Sequence, residues 1–389
     1  MYPTFSDLLY DLIGIQIPLP IQMFGLMVAI SFLVGNYIIG LELKRKYAEG
    51  LLSTHTTLVI EGLPATKMEL LSNAIFGFII GFKLFFLIGN YAQFTANPQA
   101  ALLSVEGSFW GGIIAAMAMA YWAYYEKSSK KLAQPITKTI EVMPHQVMGN
   151  LTILAAVFGI LGAKLFHNLE NLDTFLADPI GALLSFSGLT FYGGLICGFT
   201  AAIWYARKKN IKTIHLLDAA APGIMIAYGI GRLGCQLSGD GDWGIVNTSA
   251  KPSWISFLPD WVWSFKFPHN VISDGVPIPG CVGRHCMELP LPVYPTSLYE
   301  AIIAITLFFV LWTMRKHIKI PGLLFSIYLM MNGMERFFIE KIRINNIIQF
   351  AGFQFTQAEL ISSIIFLLGV TSFVYIILKN NSKNGSIAA

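Results

Sequence analysis

The sequence predicts an all-α polytopic membrane protein of about seven to nine transmembrane helices, with an internal parallel repeat and an extracytoplasmic arm. Of its 389 residues, 55% are hydrophobic and only 12% are charged, and the mean hydropathy is +0.61. A chain of this composition cannot cover itself with polar surface in water. The formal net charge of +4 is too small to indicate nucleic-acid binding, because the basic residues form short clusters beside apolar segments.

Nine apolar segments have the length that a membrane span requires. A hydrocarbon core about 30 Å thick needs roughly 20 apolar residues per helix. Windows of that size predict spans at about 20–42, 70–90, 107–125, 150–169, 187–206, 215–235, 297–314, 321–340 and 358–379. The N-terminal segment carries acidic residues and no early lysine or arginine, so we expect its first apolar segment to be an anchor rather than a cleaved signal peptide.

Basic residues fall in alternate connections, which predicts the orientation of the chain. The clusters are Lys44, Arg45 and Lys46; Lys127, Lys130 and Lys131; Arg207, Lys208, Lys209 and Lys212; and Arg315, Lys316 and Lys319. Because cytoplasmic connections are enriched in lysine and arginine, these alternate connections are predicted to be cytoplasmic. Lys341 and Arg343, at the outer end of the eighth span, break this pattern. Either an anionic headgroup or a tolerated exception to the rule would explain them.

An internal repeat lies in the first half of the chain. GFKLFFL from Gly81 aligns with GAKLFHN from Gly162, and residues of the first copy such as Lys83, Pro98 and Ser104 match the residue 81 positions later. Both copies are predicted to enter from the same side, so the duplication is parallel. The second copy holds more polar residues, including His167 and Tyr192, and we interpret it as the functional copy. The predicted divisions are helical bundle at 1–235, with repeat copies at about 70–125 and 150–206, an arm at 236–296, and helical bundle at 297–389.

An arginine stands in the sixth span. A cation at this depth costs several kcal/mol unless it is paired or lines an aqueous cavity, so Arg232 is a candidate functional residue. Gly231 and Gly234 flank it, and glycine-rich backbone is able to turn N–H groups toward an anion. The stretch AYGIGRLGCQLSGDGDWG, where the hydrophobic span gives way to glycines, one arginine and two aspartates, therefore predicts an anion site.

The eighth span ends in a second group of charges. Arg336, Glu340 and Arg343 recur at spacings of four and three, which places them on one helical face. Taken alone, this pattern also fits a helix end that neutralises its own charges. Together with Arg232, the two arginines of separate spans predict a fork-like grip on a phosphate, which arginine provides better than lysine.

Four motifs together resemble those of the bacterial prolipoprotein diacylglyceryl transferase family. They are FYGGLICG in the fifth span, GIGRLGCQLSGDGDWG around Arg232, PTSLYE from Pro295 to Glu300, and RFFIEKIR from Arg336 to Arg343. The resemblance covers about 150–379 and implies transfer of a diacylglyceryl group from phosphatidylglycerol to the lipobox cysteine of an exported prolipoprotein. A thioether would form and glycerol phosphate would leave. It also implies a multi-pass protein of the bacterial inner membrane, in contact with membrane lipids, that needs no metal or organic cofactor.

The resemblance also implies roles for individual residues. It makes Tyr192, Arg232, Arg336 and Glu340 catalytic. The residues that would bind phosphatidylglycerol are Gly231, Arg232, Gly234, Ser238, Asp240, Glu300, Arg336 and Arg343. Tyr192 stands where the family has a histidine, and a tyrosine, with an ordinary pKa of about 10, is a poor base near neutrality. Cys235 and Ser238 replace asparagines, and His167 is either an alternative imidazole or an interfacial residue.

The insert before the seventh span is rich in tryptophan, proline and glycine. Trp254, Trp261 and Trp263 suit an interfacial arm. Cys281 and Cys286 lie on the predicted oxidising side, where a small disulfide between them is compatible with the spacing. The four cysteines show no zinc-ligand spacing.

Two other functions fit parts of the pattern, namely a transporter or flippase for an anionic lipid and a non-catalytic lipid-binding paralogue. A transporter would distribute polar residues through both repeat copies, whereas here they concentrate in one. A non-catalytic paralogue would keep the glycine packing and lose the arginines, which this chain retains. Both observations favour the transferase.

Overall fold

The computed structural model describes residues 1–385 except 16, 97, 186–187, 189, 346 and 351–352. Over these residues the α-helices are α1 (Phe5–Ile13), α2 (Met23–Ala48), α3 (Lys67–Gly89), α4 (Tyr91–Ala96), α5 (Pro98–Leu103), α6 (Phe109–Ser129), α7 (Met148–Glu170), α8 (Leu172–Ala177), α9 (Pro179–Leu184), α10 (Phe191–Lys208), α11 (Thr213–Ser238), α12 (Thr296–Met314), α13 (Leu323–Glu340) and α14 (Gln357–Gly385). The strands are β1 (His55–Glu61), β2 (Ile136–Val142), β3 (Val276–Pro277), β4 (Met287–Glu288), β5 (Ile347–Phe350) and β6 (Phe353–Thr356), paired as three antiparallel hairpins.

Nine long helices overlap the nine predicted spans. They are α2, α3, α6, α7, α10, α11, α12, α13 and α14. Within the described residues, six helical segments are long and apolar enough to cross a membrane by length and composition alone. The protein is therefore an all-α polytopic membrane protein, as the sequence predicts.

The chain forms two compact units. The first comprises Met1–Ser53, Pro144–Thr152 and Ile203–Ala389, and the second comprises Thr54–Met143 and Ile153–Ala202. The first unit therefore contains α11, α12, α13 and the whole insert between α11 and α12.

The central helix of the first unit is α11, which packs against α2, α12 and α13. More than half of its most apolar window is buried inside the protein, against about a tenth for α2 and α14. Met225 of α11, Phe308 and Leu311 of α12 and Leu324 of α13 form its hydrophobic core. A polar side chain on the inner face of α11 is therefore surrounded by protein rather than by lipid.

The second unit contains most of both repeat copies, and their matching lysines make matching contacts. The Lys83 ammonium of α3 donates to the Ser104 hydroxyl at 3.1 Å, and the Lys164 ammonium of α7 donates to the Ser185 hydroxyl at 2.8 Å. Lys164 also donates to the Ser185 carbonyl at 2.9 Å. Both lysines therefore stabilise the chain just beyond a short helix, where carbonyl groups lack intrahelical partners.

Glycine allows α3 and α6 to pack closely in the second unit. A Cβ atom on Gly81 would lie 2.4 Å from the Gly111 carbonyl oxygen and 2.4 Å from the Ala115 Cβ. We expect Gly81→Ala to destabilise the fold by about 1–3 kcal/mol, since backbone must move to admit the methyl group. The matched variant is Gly89→Ala on the same helix, where a Cβ would meet no described atom within 4 Å. Equal melting temperatures of the two variants in detergent would contradict this packing.

The insert between α11 and α12 has a small core of its own. Trp243, Phe267, Leu289 and Val293 are buried together in it. A disulfide joins Cys281 to Cys286, which confirms the pairing that the spacing allows. The insert is thus a folded element, and the first residues of its chain belong to the site described next.

Candidate active site at an arginine cluster

Three arginines of the first unit converge on one buried carboxylate. Glu300, in the second turn of α12, has 0% of its side chain exposed. Its Oε2 lies 2.8 Å from Arg232 Nε, and its Oε1 lies 2.7 Å from Arg343 Nη1 and 3.4 Å from Arg336 Nη1. The Tyr228 hydroxyl also donates to Oε2. Glu300 therefore organises cations from α11, α13 and the segment after α13.

Two further carboxylates complete the charge balance. Asp242 pairs with Arg232 through Oδ2, and its Oδ1 lies 2.5 Å from Arg343 Nη2. Glu340 Oε2 lies 2.9 Å from Arg336 Nη2, one helical turn away. Three guanidinium groups thus face three paired carboxylates within this cluster, and the protein itself neutralises the cations that the sequence assigns to a phosphate.

A glycine-rich turn brings Asp242 to this cluster. Gly239 ends α11 with φ +64° and Gly241 has φ +97°, a region that side-chain-bearing residues rarely adopt. Gly244 then packs so tightly that a Cβ would lie 2.6 Å from the Ile342 carbonyl oxygen. The Ile245 N–H donates to the same oxygen at 2.9 Å. These contacts fasten the SGDGDWG stretch to the segment that follows α13.

The sixth predicted span forms one continuous helix through its glycines. Helix α11 runs without interruption from Thr213 to Ser238, so Gly231 and Gly234 are both helical. Gly234 packs against α2, where a Cβ would lie 2.8 Å from Met27 Cβ. The Ser238 hydroxyl is buried and donates to the Gly234 carbonyl at 2.8 Å. Close helix packing explains Gly234, whereas a Cβ on Gly231 would meet no described atom within 4 Å. The Ser238 hydroxyl is used within the helix.

The structure pairs Asp242 with the arginines, whereas Asp240, a predicted lipid-binding residue, has no ion pair among the described residues. Burial opposes ionisation of Asp242, but Arg232 and Arg343 outweigh it and lower its pKa below the ordinary value. Asp240 lies beside Cys235, and burial raises the pKa of Asp240. The pKa values of two acids that are two residues apart are therefore shifted in opposite directions. The Trp-Gly pair directly after Asp242 is the sequence signal that could have identified it.

This contrast predicts opposite effects of two isosteric substitutions. Above a pH of about 3.9, the ordinary value for aspartate, ionised Asp242 stabilises the folded state, and this stabilisation is lost only as the pH falls through its lower folded pKa. The raised pKa of Asp240 instead creates a cost that develops as the pH rises above about 3.9. We expect Asp242→Asn to lower and Asp240→Asn to raise the melting temperature at pH 7, by a few degrees each. Both differences should shrink toward pH 3, and shifts of the same sign would contradict the assignment.

Comparison with known proteins shows which family the chain belongs to. The family model for prolipoprotein diacylglyceryl transferase matches residues 12–143 and 132–375. The chain belongs to this family. A relative named phosphatidylglycerol–prolipoprotein diacylglyceryl transferase from Staphylococcus haemolyticus is 26% identical over 72% of this chain and 88% of the relative. Relatives of the same name from Staphylococcus saprophyticus and Dehalococcoides mccartyi are 27% and 30% identical, over 70% and 57% of this chain and 87% and 74% of theirs.

Two predicted residues of this family member lie in the second unit. Tyr192 is half-buried near the start of α10, directly before Gly193, where a Cβ would lie 2.5 Å from the Gly162 carbonyl oxygen. The His167 ring packs against Gly188, which has φ +72°. The arginine cluster belongs wholly to the first unit. A catalytic role for Tyr192 stays a prediction.

The charges at the end of α13 have carboxylate partners. Arg336 and Glu340 form the pair that their spacing predicts, and Arg343 lies beyond the last residue of the helix. Lys341 Nζ lies 2.5 Å from Glu359 Oε1 of α14. A carboxylate of the chain therefore neutralises Lys341, which accounts for a cation in a connection that is predicted to be extracytoplasmic.

One group of side chains has the density of a metal site. Cys235 Sγ and carboxylate oxygens of Asp240 and Asp242 lie within 4.8 Å of one another. Both oxygens of Asp242 already pair with guanidinium groups, and those cations would repel a metal ion. We therefore interpret Asp242 as an ion-pair partner and not as a metal ligand.

Sequence reasoning missed two polar residues of the cluster. Tyr228 lies one helical turn before Arg232, whose guanidinium carbon is 5.3 Å from the centre of the tyrosine ring. Glu335 directly precedes Arg336 and is buried, with 7% of its surface exposed. Both stand inside apolar spans, where an ionisable residue is by itself a signal of function.

Proposed function

We propose that this chain transfers the diacylglyceryl group of phosphatidylglycerol to the lipobox cysteine thiol of a prolipoprotein, forming a thioether and releasing glycerol phosphate. The observation that carries the proposal is the arginine cluster around Glu300, in a chain that belongs to the transferase family. Arginines from separate helices offer several N–H donors in fixed directions, which suits the oxygens of a phosphate.

In this proposal Arg232 and Arg336 hold the lipid phosphate, and Arg343 and Glu340 form the adjoining wall. Asp242 is the most exposed of the three paired carboxylates, with 35% of its side chain accessible, and it stands on a glycine turn. We expect the phosphate to displace Asp242 from Arg232, one of the two arginines that this carboxylate bridges. Negative charge grows on the phosphate as its bond to carbon breaks, and prepositioned guanidinium groups stabilise that charge.

The peptide supplies the nucleophile. A thiolate attacks far better than a thiol, so the reaction needs a place for the thiol proton. We retain Tyr192 as a candidate catalytic residue because it occupies the position of the family's histidine. Burial among helices would orient the lipid and the tethered peptide, which removes much of the entropic cost of bringing them together.

The substrates and the location follow from the same proposal. The partners are phosphatidylglycerol, a prolipoprotein signal peptide with its lipobox cysteine, and the surrounding membrane lipids. The membrane is the bacterial inner membrane, with the N-terminus extracytoplasmic and the C-terminus cytoplasmic. Alternating basic clusters support this orientation.

The test is a reconstituted transfer reaction. Purified protein is mixed with phosphatidylglycerol vesicles and a lipobox peptide, and mass spectrometry follows the peptide while an enzymatic assay follows glycerol phosphate. We expect the peptide to gain one diacylglyceryl group for each glycerol phosphate released, and a peptide with serine in place of cysteine to stay unmodified. Movement of labelled lipid across the bilayer with no peptide product would contradict the proposal and support a flippase.

A further inference from the structure

Glu335 of α13 is a buried acid without the partners that such a group normally has. Its two carboxyl oxygens are inaccessible and have no hydrogen-bond partner among the residues that the structure describes. An unpaired polar group in a protein interior costs free energy, and an unpaired charge costs far more. A carboxyl group kept under these conditions within a membrane span is a candidate functional group.

The surroundings of Glu335 are those of the arginine cluster. It interacts electrostatically with Glu300 and with the guanidinium groups of Arg336, Arg232 and Arg343. Those three cations are already balanced by paired carboxylates, so a fourth ionised acid would add uncompensated negative charge. The neutral carboxylic acid is the form that fits beside them, and it carries an O–H that has no acceptor among the described residues.

We propose that Glu335 is a catalytic residue, the proton donor to the phosphate that departs in the diacylglyceryl transfer; this inference rests on the proposed function. A neutral carboxylic acid donates a hydrogen bond to a phosphate oxygen, whereas an ionised one would repel it. The arginines hold the phosphate, and Glu335 supplies the one proton that they cannot give, since guanidinium groups do not deprotonate in proteins.

The step balances without any further reactant. The sulfur attacks the glyceryl methylene carbon, the bond from that carbon to the phosphate oxygen breaks, and the electron pair leaves with the oxygen. The Glu335 proton moves to the departing phosphate, which leaves as protonated glycerol phosphate. The proton that the thiol released restores the carboxylic acid. Over one turnover, a single proton passes from sulfur to phosphate and Glu335 ends as it began.

The deciding variant is Glu335→Gln in the full-length protein. The amide keeps the size of the side chain and still donates a hydrogen bond, but it has no proton to transfer. We expect the turnover number in the reconstituted reaction to fall by about 10²-fold or more, the range for general acid catalysis. The KM for phosphatidylglycerol should change less than threefold, because the arginines still bind the phosphate.

The pH profile separates proton donation from a structural role. A proton donor works only while protonated, so wild-type turnover should fall on the alkaline side, and Glu335→Gln should lack that fall. Glu335→Asp, which keeps an acid, should retain it at a reduced rate. Other titratable and charged groups that act on Glu335 are Glu300, Arg232, Arg336, Arg343, Tyr228 and Tyr328, and all of them are unchanged in these variants.

Glu359→Gln is the matched control. Glu359 is also a buried carboxylate, but it is paired with Lys341 and accepts from the Thr356 N–H at 3.0 Å. We expect this control to lower the melting temperature and keep the alkaline fall, whereas Glu335→Gln should melt no lower than wild type. Full turnover of Glu335→Gln with an unchanged pH profile would overturn the inference, and the proposed function would stand. An inactive wild-type protein would instead overturn the proposed function itself.

Discussion

Replacement of Arg232 by alanine is expected to reduce diacylglyceryl transfer by about 10³-fold or more, the range seen when a guanidinium group that stabilises a transition state is removed. Arg232 is the only one of the three cluster arginines that lies on α11, the most buried helix of the first unit, and it bridges Glu300 and Asp242. The measurement is the initial rate of peptide modification in phosphatidylglycerol vesicles. Retained activity would contradict the assignment of Arg232 to the phosphate.

Two companion variants separate charge from geometry. Arg232→Lys keeps a cation but loses the planar fork, so we expect it to recover less than a tenth of the lost rate. Arg207→Ala removes an exposed arginine of α10 whose Nε donates to the Thr213 hydroxyl at 3.0 Å. We expect Arg207→Ala to transfer at the wild-type rate. This result would show that loss of one positive charge does not by itself cause the slow transfer by Arg232→Ala.

The fold was predictable to the extent that it depends on local composition. Each span is recognisable as a run of about twenty apolar residues, and each of the nine predicted windows overlaps a long helix. The cost of an arginine in an apolar segment is also a local property, so Arg232 and Arg336 could be identified from the sequence. Their partners could not be identified in the same way.

The partners depend on how distant helices pack. Glu300 pairs with Arg336, Arg343 and Arg232, which lie 36, 43 and 68 residues away from it in the chain. The choice of Asp242 over Asp240 depends on two glycine turns and on the contact of Gly244 with Ile342. No local sequence pattern shows which of these distant residues come into contact. The close contact of Gly234 with α2 likewise depends on a helix that lies far away in the chain.

Each of the three arginines of the cluster is paired with a carboxylate, and this changes how substrate binding should be understood. In the proposed reaction a lipid phosphate would not meet bare cations but would compete with carboxylates that the protein supplies. This arrangement avoids the large cost of leaving guanidinium groups unpaired in the membrane interior. Under the proposal, part of the free energy of lipid binding would be spent on displacing a carboxylate, and Asp242 is the most exposed of the three.

Glu300→Gln should have the largest effect on stability. The substitution keeps the shape of the side chain but removes the charge that all three arginines share, and the Tyr228 hydroxyl loses its carboxylate acceptor. Removal of one member of a buried ion pair typically costs about 3–5 kcal/mol. We expect a loss of this size in thermal unfolding in detergent. Glu126→Gln, which affects an exposed pair with Lys130, should cost less than about 1 kcal/mol.

The same variant tests whether the cluster binds phosphate. Glu300→Gln leaves the guanidinium groups with one carboxylate fewer, and an anionic lipid can supply the missing charge. Phosphatidylglycerol should therefore raise the melting temperature of Glu300→Gln more than that of wild type, while phosphatidylcholine, whose headgroup has no net charge, should raise both equally. A ligand stabilises a fold more strongly the more tightly it binds the folded state, so the difference between the two proteins reports on binding at the cluster. Equal shifts with phosphatidylglycerol would show that the lipid phosphate does not reach these arginines.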